Sequence, residues 1–136
     1  MDSKLEIRAL VDNLQKVLSF IDGHLEEMGV SMKAQMQIDM AVEEIFVNIA
    51  HYAYGPDTGM ATILVERSEG NKVSITFIDC GTPYNPLEKQ DPDVTLSIEE
   101  RSVGGLGIFM VKKFMDDMQY EYMDGQNILT ITKTFL

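Results

Sequence analysis

Apolar residues return every three or four positions at Leu14, Val17, Leu18, Ile21, Leu25 and Met28, the period of a helix with one buried face. Asp12 or Asn13 is placed to cap its start, and Gly29 is a natural stop. His24, inside this helix, reads as a surface residue. Ser31 predicts the cap of a second helix that runs through Met40 and on to Tyr54. In its last stretch, MAVEEIFVNIAHYAY, Val42, Ile45, Phe46, Ile49 and Ala53 cluster on one side. Glu44, Asn48 and His51 share the other side, because residues three and four apart stack on a helix. Gly55-Pro56-Asp57 ends the helix.

The remaining periodic segments have period two. Ser3 to Ala9 alternates, with Leu5, Ile7 and Ala9 on one side, and predicts a short strand. Ala61 to Arg67 and Lys72 to Asp79 predict a hairpin turned by Glu69-Gly70-Asn71. Ile75, Phe77 and Asp79 share a face, so a carboxylate ends the core side of the second strand. From Cys80 to Gly105 no period holds, and three of the four prolines fall there. So long a loop inside a small domain is usually functional. Its polar, acidic part, Asp91–Val103, is expected to act as a lid. A third helix resumes at Leu106, carrying Ile108, Phe109, Val111 and Phe114. Met118 to Met123 and Ile128 to Phe135 predict a last hairpin around Asp124-Gly125. Together these elements predict one α+β domain over residues 1–136: a two-layer sandwich whose mixed, mostly antiparallel sheet is covered on one face by three helices. The opposite sheet face is expected to be more polar, or to meet a partner.

Composition removes several function classes. The chain has 136 residues, 45% of them apolar, which suits one folded domain with a real core. A net charge of −11 argues against nucleic acid and against an anionic membrane surface. The single cysteine, Cys80, excludes an internal disulfide and a cysteine zinc site. No apolar run approaches the roughly 20 residues that a spanning helix needs, and the charged start MDSKLEIRAL does not read as a signal peptide. The expected location is the cytoplasm. The ten methionines read as pliable core filler.

Three short patterns carry candidate chemistry. Glu44-x-x-x-Asn48 sets a carboxylate and an amide one helical turn apart. The amide oxygen suits a hard cation such as Mg²⁺, and the carboxylate can hold a water or accept a proton. Asp79-x-Gly81-x-Pro83 follows a strand with a glycine turn, where a carboxylate can accept from an exocyclic amine such as that of adenine. Gly104-Gly105-Leu106-Gly107 opens a helix, and glycine-rich backbone at a helix N-terminus is an anion site. Each pattern also has a plain reading: a solvated helix face, an ordinary turn, a helix cap.

In this order and spacing the three resemble the N, G1 and G2 boxes of the GHKL ATPase superfamily, over nearly the whole chain. More narrowly, the stretch DCGTPYNP and the run GGLGIFMVKKFMDDMQYEYMDGQNILTITK look like the anti-sigma-factor serine/threonine kinases of the RsbW-like family. The resemblance implies ATP and Mg²⁺ as cofactors. It implies Glu44 as catalytic base, Asn48 as magnesium ligand, and Asp79 as the adenine-reading aspartate with Gly81 shaping its pocket. Gly105, Leu106 and Gly107 match the phosphate-holding backbone. Arg101 is placed to reach a γ-phosphate, and Thr130 or Thr132 to approach the adenine side. Where the family often has histidine four residues after the metal asparagine, this chain has Tyr52, next to His51. The implied partners are an anti-sigma-factor antagonist that supplies a phosphoacceptor serine and a sigma factor or equivalent regulator. A homodimer is compatible with the resemblance. Two other classes remain: the ATP-binding domain of a histidine kinase, and a nucleotide-dependent interaction module with little catalysis. The first needs a phosphoacceptor histidine followed by glutamate, whereas Leu25 follows His24. The second has no need of Glu44.

Overall fold

The computed structural model describes residues 3–88 and 105–135. Strand β1 (Lys4–Arg8) leads through a 3-10 turn into α1 (Leu14–Met28) and α2 (Met32–Asn48), which continues as a π turn over Ile49–Ala53. Strands β2 (Met60–Ser68) and β3 (Lys72–Asp79) come next, then a short 3-10 turn at Pro86–Glu88. Helix α3 (Gly105–Phe114) and strands β4 (Asp117–Met123) and β5 (Gln126–Thr134) complete the described chain.

The five strands form one sheet in the order β1-β2-β3-β5-β4. Every ladder among the described residues is antiparallel, where the sequence leaves room for a mixed sheet. The turns reflect their residues. Asp124 and Gly125 both have positive φ between the paired Met123 and Gln126, the geometry of a two-residue hairpin that matches strand twist. Gly29 ends α1 with φ 74°. The Ser31 hydroxyl accepts from the Ala34 amide at 3.2 Å and starts α2. Asn13 does not cap α1; its side-chain amide donates instead to the Arg8 carbonyl at 3.0 Å.

The core lies between the helices and one sheet face. Ile21 and Leu25 of α1, Ile38 and Phe46 of α2 and Val111 of α3 are fully buried with Ile63, Ile75, Phe77 and Ile131 of the sheet. Each contributes about 1.5–3 kcal/mol relative to exposure. His24 is a correction: it is buried, with its ring edge-on to Phe20 at 4.8 Å. It stands three residues after Ile21 and so falls on the inner face of α1. The outer sheet face is half-buried and more polar than the inner one, although Leu64, Ile78 and Ile128 stand on it. Its Thr76 and Thr130 hydroxyls bond across strands at 3.1 Å, and Ser74 and Thr132 do so at 3.2 Å.

Candidate functional site

Two groups of polar residues meet where α2 ends against β3 and β5. The first is on α2. The Asn48 amide nitrogen donates to Glu44 Oε1 at 3.1 Å, the contact that a four-residue spacing allows. That bond leaves the Asn48 amide oxygen to face a ligand. Gly107, in the first turn of α3, packs on the same carboxylate: a Cβ there would run into Glu44. The glycine-rich helix start and the Glu44–Asn48 pair, distant in sequence, are therefore in contact.

The π turn decides which side chain after Asn48 reaches the site. A wider turn takes more residues per revolution, so the fourth residue on lies closer to the same face than the third. Tyr52 accordingly lines a cavity with Asn48, while His51 is exposed and does not. The expectation that His51 shares a face with Glu44 and Asn48 is corrected by this change of winding.

The second group is built on Asp79. Register pairs it with Asn127 across β3 and β5, and both are only 6% exposed. Asp79 Oδ1 accepts from the Gly81 amide and from the Asn127 side-chain amide, each at 2.9 Å. Both bonds fall on one oxygen, which leaves Oδ2 to accept from a ligand. Asn127 is a hub: its nitrogen also donates to the Thr82 carbonyl at 3.0 Å, and its oxygen accepts from the Tyr84 amide at 3.1 Å and the Tyr120 hydroxyl at 2.5 Å. Buried amides are retained when fully bonded in this way.

Gly81 is required by packing. A Cβ there would collide with the Ala53 carbonyl, which also accepts from the Thr82 amide at 2.8 Å. Tyr54 ties the same corner together, donating to the Met60 carbonyl at 2.5 Å and accepting from the Cys80 amide at 2.9 Å. Burial raises the Tyr54 hydroxyl above its ordinary value against the effect of the Cys80 amide, and the nearby Asp79 charge adds to the rise, so it stays a donor.

Between the two groups lies a cavity of about 520 Å³, within the usual size for small-ligand sites. Ile45, Ile49, Phe77, Ile108 and Leu129 give it apolar walls, and Asp79, Asn48 and Asn127 supply its polar points. Pro83 and Tyr84 border it from the loop. Its apolar walls and the Asp79 carboxylate at one edge suit a flat, largely apolar group that carries a hydrogen-bond donor.

Not all the residues that the sequence predicts for the site reach it. Glu44, Asn48, Asp79, Gly81 and Gly107 come together. Gly105 and Leu106 lie in the first turn of α3. Arg101 and the Asp91–Val103 segment lie outside the described residues. Thr130 and Thr132 do not join the site. They project from the outer sheet face, because Asn127, Leu129 and Ile131 take the inner positions of β5. The inward polar residue of that strand that reaches the site is Asn127, which sequence reasoning misses. Its signal is parity: it shares a face with Leu129 and Ile131.

The profile of the family described as "Histidine kinase-like ATPase domain" matches residues 7–133. The serine/threonine-protein kinase BtrW of Bordetella bronchiseptica is 28% identical over 102 residues, 75% of this chain and 72% of that protein. The serine-protein kinase RsbW of Bacillus mycoides is 25% identical over 130 residues, 93% and 81% respectively. Among solved structures, the RsbU and RsbW domains of a Mycobacterium tuberculosis protein superpose with a TM-score of 0.66 at 17% identity. That match covers 97% of this chain and 32% of the other. A histidine kinase domain from Erythrobacter litoralis gives 0.57 at 15%, covering 92% and 60%. With this profile over nearly its whole length, and with RsbW-type serine kinases as distant relatives, the chain belongs to the histidine kinase-like ATPase domain family of the GHKL type.

Proposed function

We propose that the chain is an anti-sigma-factor-type serine/threonine kinase. In this reading it binds ATP with Mg²⁺ in the cavity and phosphorylates a serine of an antagonist protein. It also holds a sigma factor or equivalent regulator when unoccupied by that antagonist. The observation that carries the reading is the meeting of Glu44, Asn48 and Gly107 at one end of a cavity whose other end is Asp79. Kinship with BtrW and RsbW kinases supports it.

The residues fit the ligand chemically. The Asp79 Oδ2 atom can accept from the adenine amine, and Gly81 lets the loop backbone lie close beneath it. No group of three or more His, Cys, Asp or Glu side chains suited to a metal occurs among the described residues. Asn48 would hold a cation through its amide oxygen, and phosphate oxygens and water would suit its other positions, as Mg²⁺ prefers. Bound there, Mg²⁺ supplies charge neutralisation for the phosphates. Asn48, being neutral, holds it without repelling them. Glu44, one turn earlier, accepts the serine hydroxyl proton. The serine oxygen forms a bond to the γ-phosphorus, the bond to the β,γ-bridging oxygen breaks, and ADP leaves with that electron pair.

The test is paired. Glu44→Gln should keep ATP binding and lose phosphate transfer to a candidate antagonist by about 10²–10⁴-fold. Asn48→Ala should lose magnesium-dependent binding as well as transfer. Full transfer by Glu44→Gln would remove the base assignment.

A further inference from the structure

On the far half of α2, away from the cavity, methionines stand outside the core. Met32, Met36 and Met40 succeed one another at helical spacing and are 89%, 60% and 49% exposed. They line an open groove of about 650 Å³ between α1 and α2, whose floor includes Leu18 and Val30. Expecting methionine to be core filler fails here, since core filler is not left in water. A contiguous exposed apolar strip on a small domain marks a contact surface, and methionine suits one because its unbranched side chain adapts to a partner.

The charges in the groove choose the partner. All its charged lining residues are acidic: Glu26 from α1, and Asp39 and Glu43 from α2. Asp22 of α1 faces Asp39 across the helix pair. In each of Asp22 and Asp39 the Oδ1 atom is shielded from solvent, and the two side chains face each other. Burial and a side-chain hydrogen bond between the two carboxyl groups hold a proton on Asp39, so the pair adds acidic character to the groove without an ion pair of its own.

We infer that the α1–α2 groove is a docking site for an amphipathic helix of a partner protein that lays apolar side chains on Met32, Met36 and Met40 and directs a lysine or arginine toward Asp39. The strip of three methionines at four-residue spacing matches the apolar edge of a helix lying in a groove. The acidic lining favours a basic partner and disfavours both an acidic one and a second copy of this chain, whose net charge is −11. The inference needs neither nucleotide nor Glu44 and stands apart from the kinase reading. The lining also sets a pH dependence. Burial first, and the facing Asp22 second, push Asp39 up to about 8. The groups that face it from α1 and α2, namely Asp22, Glu26 and Glu43, are acidic, and none supplies a positive charge. A partner cation would displace the Asp39 proton, so binding should tighten as pH rises toward about 8.

The test uses the full chain and a labelled idealised Leu/Lys amphipathic helical peptide, with a Leu/Glu peptide as control, read by fluorescence anisotropy. The Leu/Lys peptide should bind and the Leu/Glu peptide should not. Met36→Ser should weaken binding about tenfold or more, equivalent to at least about 1.4 kcal/mol. Met123→Ser, which removes an equally accessible methionine from the β4 edge, should leave binding unchanged. Asp39→Asn should weaken binding and flatten its pH dependence. Equal affinities for Met36→Ser and Met123→Ser would show general attraction to an acidic protein and overturn the docking site. So would light scattering that shows a dimer broken by Met36→Ser, since a second copy would then cover the groove.

Discussion

Asn127 shows how a single buried amide can organise a binding corner. It serves Asp79, Thr82, Tyr84 and Tyr120 at once. Asn127→Ala would leave the buried Asp79 Oδ1 with the Gly81 amide alone. An unmet buried group costs about 1–3 kcal/mol. The expected outcome is a lower melting temperature together with ATP affinity reduced by about tenfold or more, measured by thermal melts and nucleotide titration. Asp39 gives a second prediction. Its carboxyl is held at about 8 in the folded chain, against roughly 3.9 unfolded. The folded state keeps a proton that the unfolded state releases. The stability from this group is therefore full below about pH 4 and is lost as pH rises to about 8. Asn has no such loss, so the melting temperature of Asp39→Asn should gain on the wild type from about pH 5 to about pH 8. Asp79 and Gly81 can be read from alternation and a glycine turn. Asn127 cannot, because its role depends on register with a strand far away in sequence. Analogy misplaces Thr130, although the parity of Leu129 and Ile131 puts it on the outer face.

At the scale of elements, local signals are strongest where backbone chemistry is most restrictive. The Asp124-Gly125 and Glu69-Gly70-Asn71 turns, the Gly29 stop and the Ser31 cap all arise from residue type. The π turn at Ile49–Ala53 is not readable, since no residue pattern in IAHYA distinguishes it from a continuing α-helix. Contact between α2 and α3 is likewise hidden. Gly107 reads as part of a helix cap, and only the fold brings it against Glu44. Gly107→Ala should push the Glu44 carboxylate off its present position. We expect nucleotide affinity and turnover to fall while the melting temperature changes little, because the site and not the core is disturbed. Calorimetric titration alongside a thermal melt distinguishes the two.

For the whole molecule, the two-layer arrangement and the more polar outer sheet face result from amphipathic helices meeting alternating strands. The core and the cavity share walls but can be separated. Phe46 is fully buried and does not line the cavity. Phe46→Ala should cost about 3–5 kcal/mol in chemical denaturation while leaving affinity per folded molecule intact. In the proposed function Asp79 makes the cavity an adenine site. Guanine presents a carbonyl where adenine presents its amine, and a carbonyl cannot donate to a carboxylate. The most direct measurement is calorimetric titration of the chain with ATP and with GTP in the presence of Mg²⁺. ATP should bind saturably and GTP more weakly by about 10²-fold or more, because a site built to receive a donor at that position rejects a base that presents an acceptor there. Equal affinities for the two nucleotides, or no binding of ATP, would contradict the adenine assignment.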